Sequence, residues 1–254
     1  MYRVVLFLMT VLSVFPLLKG EPVFSAEIRV SAAASLIDVI PDLKDAYQRK
    51  YQEDKIILNF ASSGSCYRQI KQGAPVDVYV SANRLFMDKA EKEGLVDRRS
   101  RFVFAGNRLV LAVPAGNPAR IKNLDDLLLP RVSRIALGTP ETVPAGQYAR
   151  KGLKEKNLWK RLKSKYVYAG HVRSVLAYLK RGNVEAGFIY KTDAGKGAEK
   201  TDVVTAVDKA PLVRYWAAVT DRSAEPEAVA RFIKFLKTGE TADILKQQGF
   251  LPSN

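Results

Sequence analysis

A chain of 254 residues, 47% of them hydrophobic, can bury one large core or two smaller ones, and its single cysteine excludes a scaffold stapled by internal disulfides. Its 41 Lys and Arg against 26 Asp and Glu give a net charge of +15, which suits either an anionic partner or a surface kept soluble by charge. The one histidine, His171, excludes a metal centre built on several imidazoles.

Residues 1–26 read as a secretory leader. MYR gives a positive start, VVLFLMTVLSVFPLL (4–18) is apolar, and small residues set cleavage after Ser25 or Ala26. A membrane anchor is the alternative, but the apolar run is shorter than the roughly 20 residues that span a bilayer. No cysteine stands at the leader's junction to carry a lipid. Losing Arg3, Lys19 and Glu21 with the leader takes the net charge of +15 to +14. An exported chain is not expected to meet nucleic acid, so a small anion or a membrane surface remains as the partner.

From Glu27 onward, strand and helix signals alternate. EIRVSA is a β-branched run, and Leu36, Val39, Ile40, Leu43 and Tyr47 then recur at helical spacing. KIILNF is a second strand and SSGSCYRQI opens a second helix. VDVYVSA and NRLFMDKAEKEG repeat the pair, the helix stopped by glycine. NRLVLAVPAGNP (107–118) breaks the rhythm with a long strand and a turn-rich exit. A second set follows, from RIALG through KYVYAG and a helix bearing Val172, Val175, Leu176 and Leu179, to AGFIY. RYWAAVT (214–220) is a lone strand, and two helices close the chain, the first with Val229, Phe232, Ile233 and Leu236 on one face. Alternation of this kind predicts an α/β fold of mostly parallel strands flanked by helices. Two such units joined by two strand-like crossings make a hinged pair of lobes.

Catalytic signatures are missing. Neither GxSxG nor GxxxxGK[ST] occurs. Cys66 and His171 are the sole candidates for a Cys–His pair, and Cys66 sits where an inward-facing, inert thiol is expected. What recurs instead is a strand followed at once by small residues that start a helix: SAAAS before LIDVI, FASS before GSCYRQI, GTPETVPA before GQYARKGL, and YAGHV before RSVLAYL. Each such junction lies at the carboxyl end of a strand, where open α/β sheets bind ligands. Each presents unpaired N–H groups at the positive end of a helix. Helix capping accounts for any one of them; four together describe an anion site of neutral donors.

The stretches AAASL (32–36), FASSGS (60–65), GAPVDVYVSA (73–82), GNRLVLAVP (106–114), VPAGQYA (143–149), HVRSVLAYL (171–179), AGFIYKTDA (186–194) and ILKQQGF (244–250) carry a further signal. In order and spacing the chain resembles periplasmic molybdate-binding proteins, the solute receptors of molybdate ABC transporters. The resemblance implies a two-lobed periplasmic-binding-protein fold (type II), each lobe an open, mostly parallel sheet flanked by helices. It places lobe 1 at residues 27–107 plus 215–254 and lobe 2 at 108–214. It further implies one tetrahedral oxyanion, molybdate or tungstate, held by Ser35 and Ser63 (hydroxyl and N–H), Ala145 and Val172 (N–H) and Tyr190 (phenol), with no direct metal ligand and no cofactor. Selection against sulfate, by pocket size, is also inherited from the resemblance. The chain departs from the family at His171, where an acidic or amide residue often stands, and an imidazole there predicts a mild pH effect.

The expected protein is then no enzyme but a periplasmic monomer serving an inner-membrane ABC permease. Its rivals are a receptor of the same fold for sulfate or phosphate, and an exported hydrolase using Ser35, Ser63 or Cys66. The basic run 149–166 reads as the solvated face of a helix with Leu153, Leu158, Trp159 and Leu162 inward, although it also suits anion steering. Trp159 and Trp216 are expected in the core, Arg173 bracing lobe 2, and Asp193 bracing the segment after Tyr190.

Overall fold

The computed structural model describes residues 26–195, 200–208 and 210–253; the leader expected at 1–26 lies outside them except for Ala26. In chain order the elements are β1 (Ala26–Ala33), α1 (Ile40–Gln48), β2 (Asp54–Ala61), α2 (Ser63–Lys71), β3 (Val78–Ser81), α3 (Arg84–Lys92) and β4 (Phe102–Asn107). There follow β5 (Leu109–Pro114), β6 (Ile135–Gly138), α4 (Pro144–Glu155), β7 (Tyr166–Ala169), α5 (Val172–Lys180), β8 (Ala186–Tyr190) and α6 (Lys191–Gly195). The chain closes with β9 (Thr201–Ala206), β10 (Val213–Val219), α7 (Pro226–Leu236) and α8 (Gly239–Gln247). Among the described residues, no helix is long and apolar enough to cross a membrane.

The strands form two mixed sheets of identical plan. One runs β2-β1-β3-β10-β4 and the other β7-β6-β8-β5-β9. In the first, β1, β2 and β3 are parallel while β10 runs against β3 and β4. In the second, β6, β7 and β8 are parallel while β5 runs against β8 and β9. Each reversed strand is the one that has just crossed from the other sheet. The geometry requires this: β4 ends at the cleft, so the chain enters the second sheet at the carboxyl ends of its strands and must run against them. The crossing from β4 to β5 takes a single residue, Arg108, whereas the return from β9 to β10 takes residues 207–212.

Buried aliphatic and aromatic side chains pack between sheet and helices in both halves, with Ile28, Val30 and Val80 in one and Ile135, Leu137 and Phe188 in the other. The last helices return to the first half. Phe232 of α7 meets Tyr47 of α1 edge to face at 5.1 Å. The same tyrosine donates to Asp54 Oδ2 at 2.5 Å, and Arg231 Nη2 lies 2.9 Å from Asp54 Oδ1. Asp54 is fully buried, so its charge needs both partners.

Four details depart from the sequence reading. The helix expected directly after Ser35 is a short 3-10 turn, Ala34–Leu36, and α1 begins only at Ile40. Pro41 accounts for it, because proline fits the first turn of a helix but clashes in its interior. The basic run 149–166 is not one helix: α4 stops at Glu155, and Asn157 turns left-handed at φ 57°. Leu153, Leu158 and Leu162 are buried as expected. The two tryptophans, however, are only half-buried, Trp159 stacking on Tyr166 at 4.6 Å and Trp216 lying under the Arg101 guanidinium at 4.2 Å. Finally, the structure adds two edge strands that the sequence pattern does not announce, β4 and β9, whose apolar runs are short.

Candidate functional site

The four strand-to-helix junctions converge. Ser35, Ser63, Val172 and Tyr190, with Ser62 and Pro144, line one tight cavity at the carboxyl ends of β1, β2 and β8 and the starts of α2, α4 and α5. Ala145, also expected at the site, is not part of this wall; it lies one residue past Pro144, in the first turn of α4. A larger hollow of about 590 Å³ lies beside β4 and α8, and none of the expected site residues lines it.

Three hydroxyls of the cavity, those of Ser35, Ser63 and Tyr190, are free to donate. Ser35 Oγ accepts a hydrogen bond from Tyr215 Oη at 2.9 Å, and Ser63 Oγ accepts one from the Ala82 N–H at 2.9 Å. With one acceptor site of each serine occupied by the protein, its proton remains available to a ligand in the cavity. Ser63 is held from behind as well, its carbonyl accepting from Tyr79 Oη at 2.8 Å. Tyr190 is 1% exposed, and its Oη is buried without a partner among the described residues. Such an orphan is expensive unless something accepts from it. Burial raises the ionisation of both Tyr190 and Tyr215 well above the ordinary phenol, so both remain proton donors.

The helix starts add backbone donors. Ser62 caps α2 by accepting from the Ser65 N–H at 3.2 Å, and His171 caps α5 by accepting at Nδ1 from the Ser174 N–H at 3.1 Å. These caps engage the third N–H and leave the first, on Ser63 and Val172, at the positive helix end. Helix α4 sits close because Gly146 touches Gly138: a Cβ at Gly146 would lie 1.8 Å from the Gly138 carbonyl oxygen. No Asp, Glu, Lys or Arg lines the cavity, and no cluster of metal-ligating side chains occurs among the described residues.

The candidate nucleophiles fare poorly. Cys66 is buried, its Sγ 3.6 Å from the Ala32 carbonyl, and burial pushes its thiol up, away from the reactive thiolate. The His171 ring is committed to its cap, and burial with the nearby Arg173 lowers its pKa. The shift favours the neutral ring. Ser35 and Ser63 accept bonds from a phenol and an amide rather than giving a proton to a base, the reverse of an activated serine.

Around the cavity the halves touch. The Gly64 N–H donates to the Thr142 carbonyl at 3.0 Å, and Asn83 Nδ2 donates to Gln147 Oε1 at 2.6 Å. Arg173 Nη1 reaches Asp38 Oδ2 across the cleft at 2.7 Å and Asp193 Oδ1 at 3.1 Å within its own half. Asp193 in turn accepts the Tyr190 N–H at 3.0 Å. Sequence reasoning gave Arg173 and Asp193 bracing roles but missed Asp38, and it missed Tyr215 and Asn107. A signal existed for Tyr215: it sits on the inward alternation Val213, Tyr215, Ala217, where a phenol needs a partner.

Two sheets of the same plan, hinged by two crossings and closed over a cavity of donors, define a solute receptor of the two-lobed α/β class. Residues 28–251 match the model of the bacterial extracellular solute-binding proteins, and the chain belongs to that family. It is 35% identical to the putative ABC transporter substrate-binding lipoprotein YvgL of Bacillus subtilis, over 87% of this chain and 85% of that one. It is 33% identical to the molybdate-binding protein ModA of Escherichia coli, over 88% of each. Among solved structures, the substrate-binding domain of a putative molybdenum ABC transporter from Clostridium difficile aligns with a TM-score of 0.69 at 31% identity, covering 91% of this chain and all of that one.

Proposed function

We propose that this protein is an exported, periplasmic receptor that binds molybdate, with tungstate alongside, and delivers it to an inner-membrane ABC permease, acting as a monomer and not as an enzyme. The observation that carries the reading is the buried Tyr190 Oη, without a partner among the described residues, in a cavity walled by donors and empty of carboxylates. A group that accepts hydrogen bonds on every side, gives none and carries negative charge suits it, as a fully deprotonated tetrahedral oxyanion does. Ser35, Ser63, Val172 and Tyr190 would hold the anion directly, with the Ala145 N–H at the edge of the ring. A binding site of neutral donors also lets the ion go, because no desolvated ion pair has to break. Lobe 1 is assigned to 27–107 plus 215–254 and lobe 2 to 108–214; the crossing at Arg108 supports the first boundary, while Val213 and Arg214 pair with β4 and move the second to the start of β10.

Calorimetry on the mature chain tests the reading. Molybdate and tungstate should bind tightly, and sulfate and phosphate far more weakly. Equal affinity for sulfate would move the assignment to another oxyanion. Ser35→Ala combined with Ser63→Ala should remove at least about 3 kcal/mol of binding, two charge-assisted hydrogen bonds, and unchanged affinity would put the site elsewhere.

A further inference from the structure

At the rim of the cavity the two halves meet backbone to backbone. Gly64 directly follows Ser63, which lines the cavity, and Thr142 directly precedes Val143 and Pro144, which line it from the other half. The Gly64 N–H donates to the Thr142 carbonyl at 3.0 Å. The first three amides of α2 are thereby divided: that of Ser63 stays at the positive helix end, that of Gly64 crosses to the other half, and that of Ser65 goes to the Ser62 cap. Contact this close requires a residue without a side chain. A Cβ at Gly64 would lie 2.7 Å from the Thr142 carbonyl oxygen, 2.9 Å from its Cα, and 2.7 Å from Phe86 Cζ within its own half. A ring tip can tilt, but the Thr142 backbone is tied down. The N–H groups of Thr142 and Val143 both donate to the Thr139 carbonyl, at 3.1 and 2.8 Å, and the Thr139 N–H donates to the Ala169 carbonyl at the end of β7 at 2.9 Å. The Gly64 side is anchored through Ser63, whose carbonyl accepts from Tyr79 Oη at 2.8 Å. Both sides of the contact are therefore stiff.

We propose that Gly64 is a positioning residue that sets how far the lobes close: its bare Cα and its N–H let the turn before α4 seat on the first turn of α2, and that seat brings the donors of lobe 2 to an anion held by lobe 1. This role rests on the oxyanion reading of the cavity and deepens it. When the lobes part, the Gly64 amide and the Thr142 carbonyl turn to water. When they meet, each replaces the other's water, so the rim dries without an orphaned backbone group. A methyl at position 64 would strike the Thr142 backbone first and hold the rim open. The Val172 N–H and the Tyr190 hydroxyl, both on lobe 2, would then stand beyond hydrogen-bond reach of an anion at Ser63.

The measurement is small-angle X-ray scattering beside titration calorimetry with sodium molybdate, on the wild type, Gly64→Ala, Phe86→Leu and the double variant. Phe86→Leu removes the one short contact inside lobe 1, so that in the double variant only the clash across the cleft remains. Wild type and Phe86→Leu should contract on adding molybdate and bind it alike. Gly64→Ala and the double variant should keep the ligand-free radius of gyration at saturating molybdate, with a Kd raised about a hundredfold, the share of two lobe 2 donors. Ligand-free unfolding in urea should be the same for Phe86→Leu and the double variant, and a drop in the double variant would mark Gly64 as a structural glycine of lobe 1 and overturn the role. A double variant that contracts and binds like Phe86→Leu also overturns it. So does a raised Kd with the contraction intact, the mark of a local disturbance of α2, or a wild type that binds without contracting. A wild type that binds no molybdate would remove the receptor reading and this role together, whereas a wild type that binds and contracts, beside a double variant that does the same, removes the role of Gly64 alone.

Discussion

Tyr190 carries opposite obligations in the empty and filled states. Without a ligand its buried Oη lacks an acceptor, which lowers the stability of the closed protein. With an oxyanion in place the same group gives a charge-assisted bond. Tyr190→Phe should therefore raise the stability of the ligand-free protein by about 1 kcal/mol while weakening anion binding by roughly 1.5–3 kcal/mol. Urea unfolding without ligand and calorimetry with it should move in opposite directions, and a loss on both would mean that the hydroxyl has a hidden partner. Beneath Tyr190, burial pushes Asp193 up to about 6, with Arg173 pulling the other way. An Asp in the unfolded chain stays ionised at pH 5, so the folded state takes up this proton first, and Asp193 adds stability as pH falls from 7 to 5. His171, whose pKa is lowered, contributes stability above its unfolded value and loses it over the same descent. Comparing unfolding at pH 7 and pH 5 in the wild type and in Asp193→Asn separates them: the wild type should fare better on acidification than the variant, and equal slopes would show that Asp193 is ionised throughout.

The elements explain why so much of this site could be read from the chain. Strand-then-small-residue junctions are local patterns, and Ser62, Ser63 and Val172 stand where local capping chemistry puts them. The turn at Ser35 was misread as a helix start, since one must weigh Pro41 as a barrier rather than count apolar spacing. β4 (FVFAGN) and β9 (TDVVTA) were illegible because each has only a short apolar run, followed by Gly-Asn or preceded by Thr-Asp, whereas the equally exposed edge strand β2 carries the longer run KIILNF. The hydrogen bond from Tyr215 to Ser35 spans 180 positions in sequence, and the one from Asn107 to Tyr215 spans 108. No local rule joins such residues, and only the sheet order brings them together. Close helix–strand contact is a further property of elements. Gly146→Ala would drive a methyl into the Gly138 carbonyl and lift α4 from β6, a cost of about 3 kcal/mol or more. Gly239→Ala, with open space at the start of α8, should change stability little, and thermal unfolding of the two variants side by side measures the difference.

For the whole molecule, the question is what holds the lobes shut once the anion is bound. Arg173 lies next to Val172, which faces the cavity, and pairs with Asp38, three residues after Ser35 on the opposite lobe. The same guanidinium holds Asp193, which anchors the backbone of Tyr190. One side chain thus links two anion-facing elements of lobe 2 to the turn that carries Ser35 in lobe 1. Its partners differ in exposure, Asp38 at 37% and Asp193 at 1%, so the bond across the cleft is the weaker and more easily broken arm. That suits a receptor that must reopen. A ligand shifts the open–closed equilibrium only through contacts made in one state, and this bridge across the cleft belongs to the closed state. Removing it should leave each lobe intact, weaken molybdate binding by about 1 kcal/mol, near fivefold, and act mainly by speeding dissociation. The discriminating experiment is a double-mutant cycle of Asp38→Ala and Arg173→Ala read by dissociation rate. If the two residues work as one clasp, adding Asp38→Ala to Arg173→Ala changes nothing further, because the guanidinium it would have paired with is already gone. Fully additive effects would mean that Arg173 acts on the anion through Asp193 and Tyr190 alone, and that closure is held by the Gly64–Thr142 and Asn83–Gln147 bonds instead.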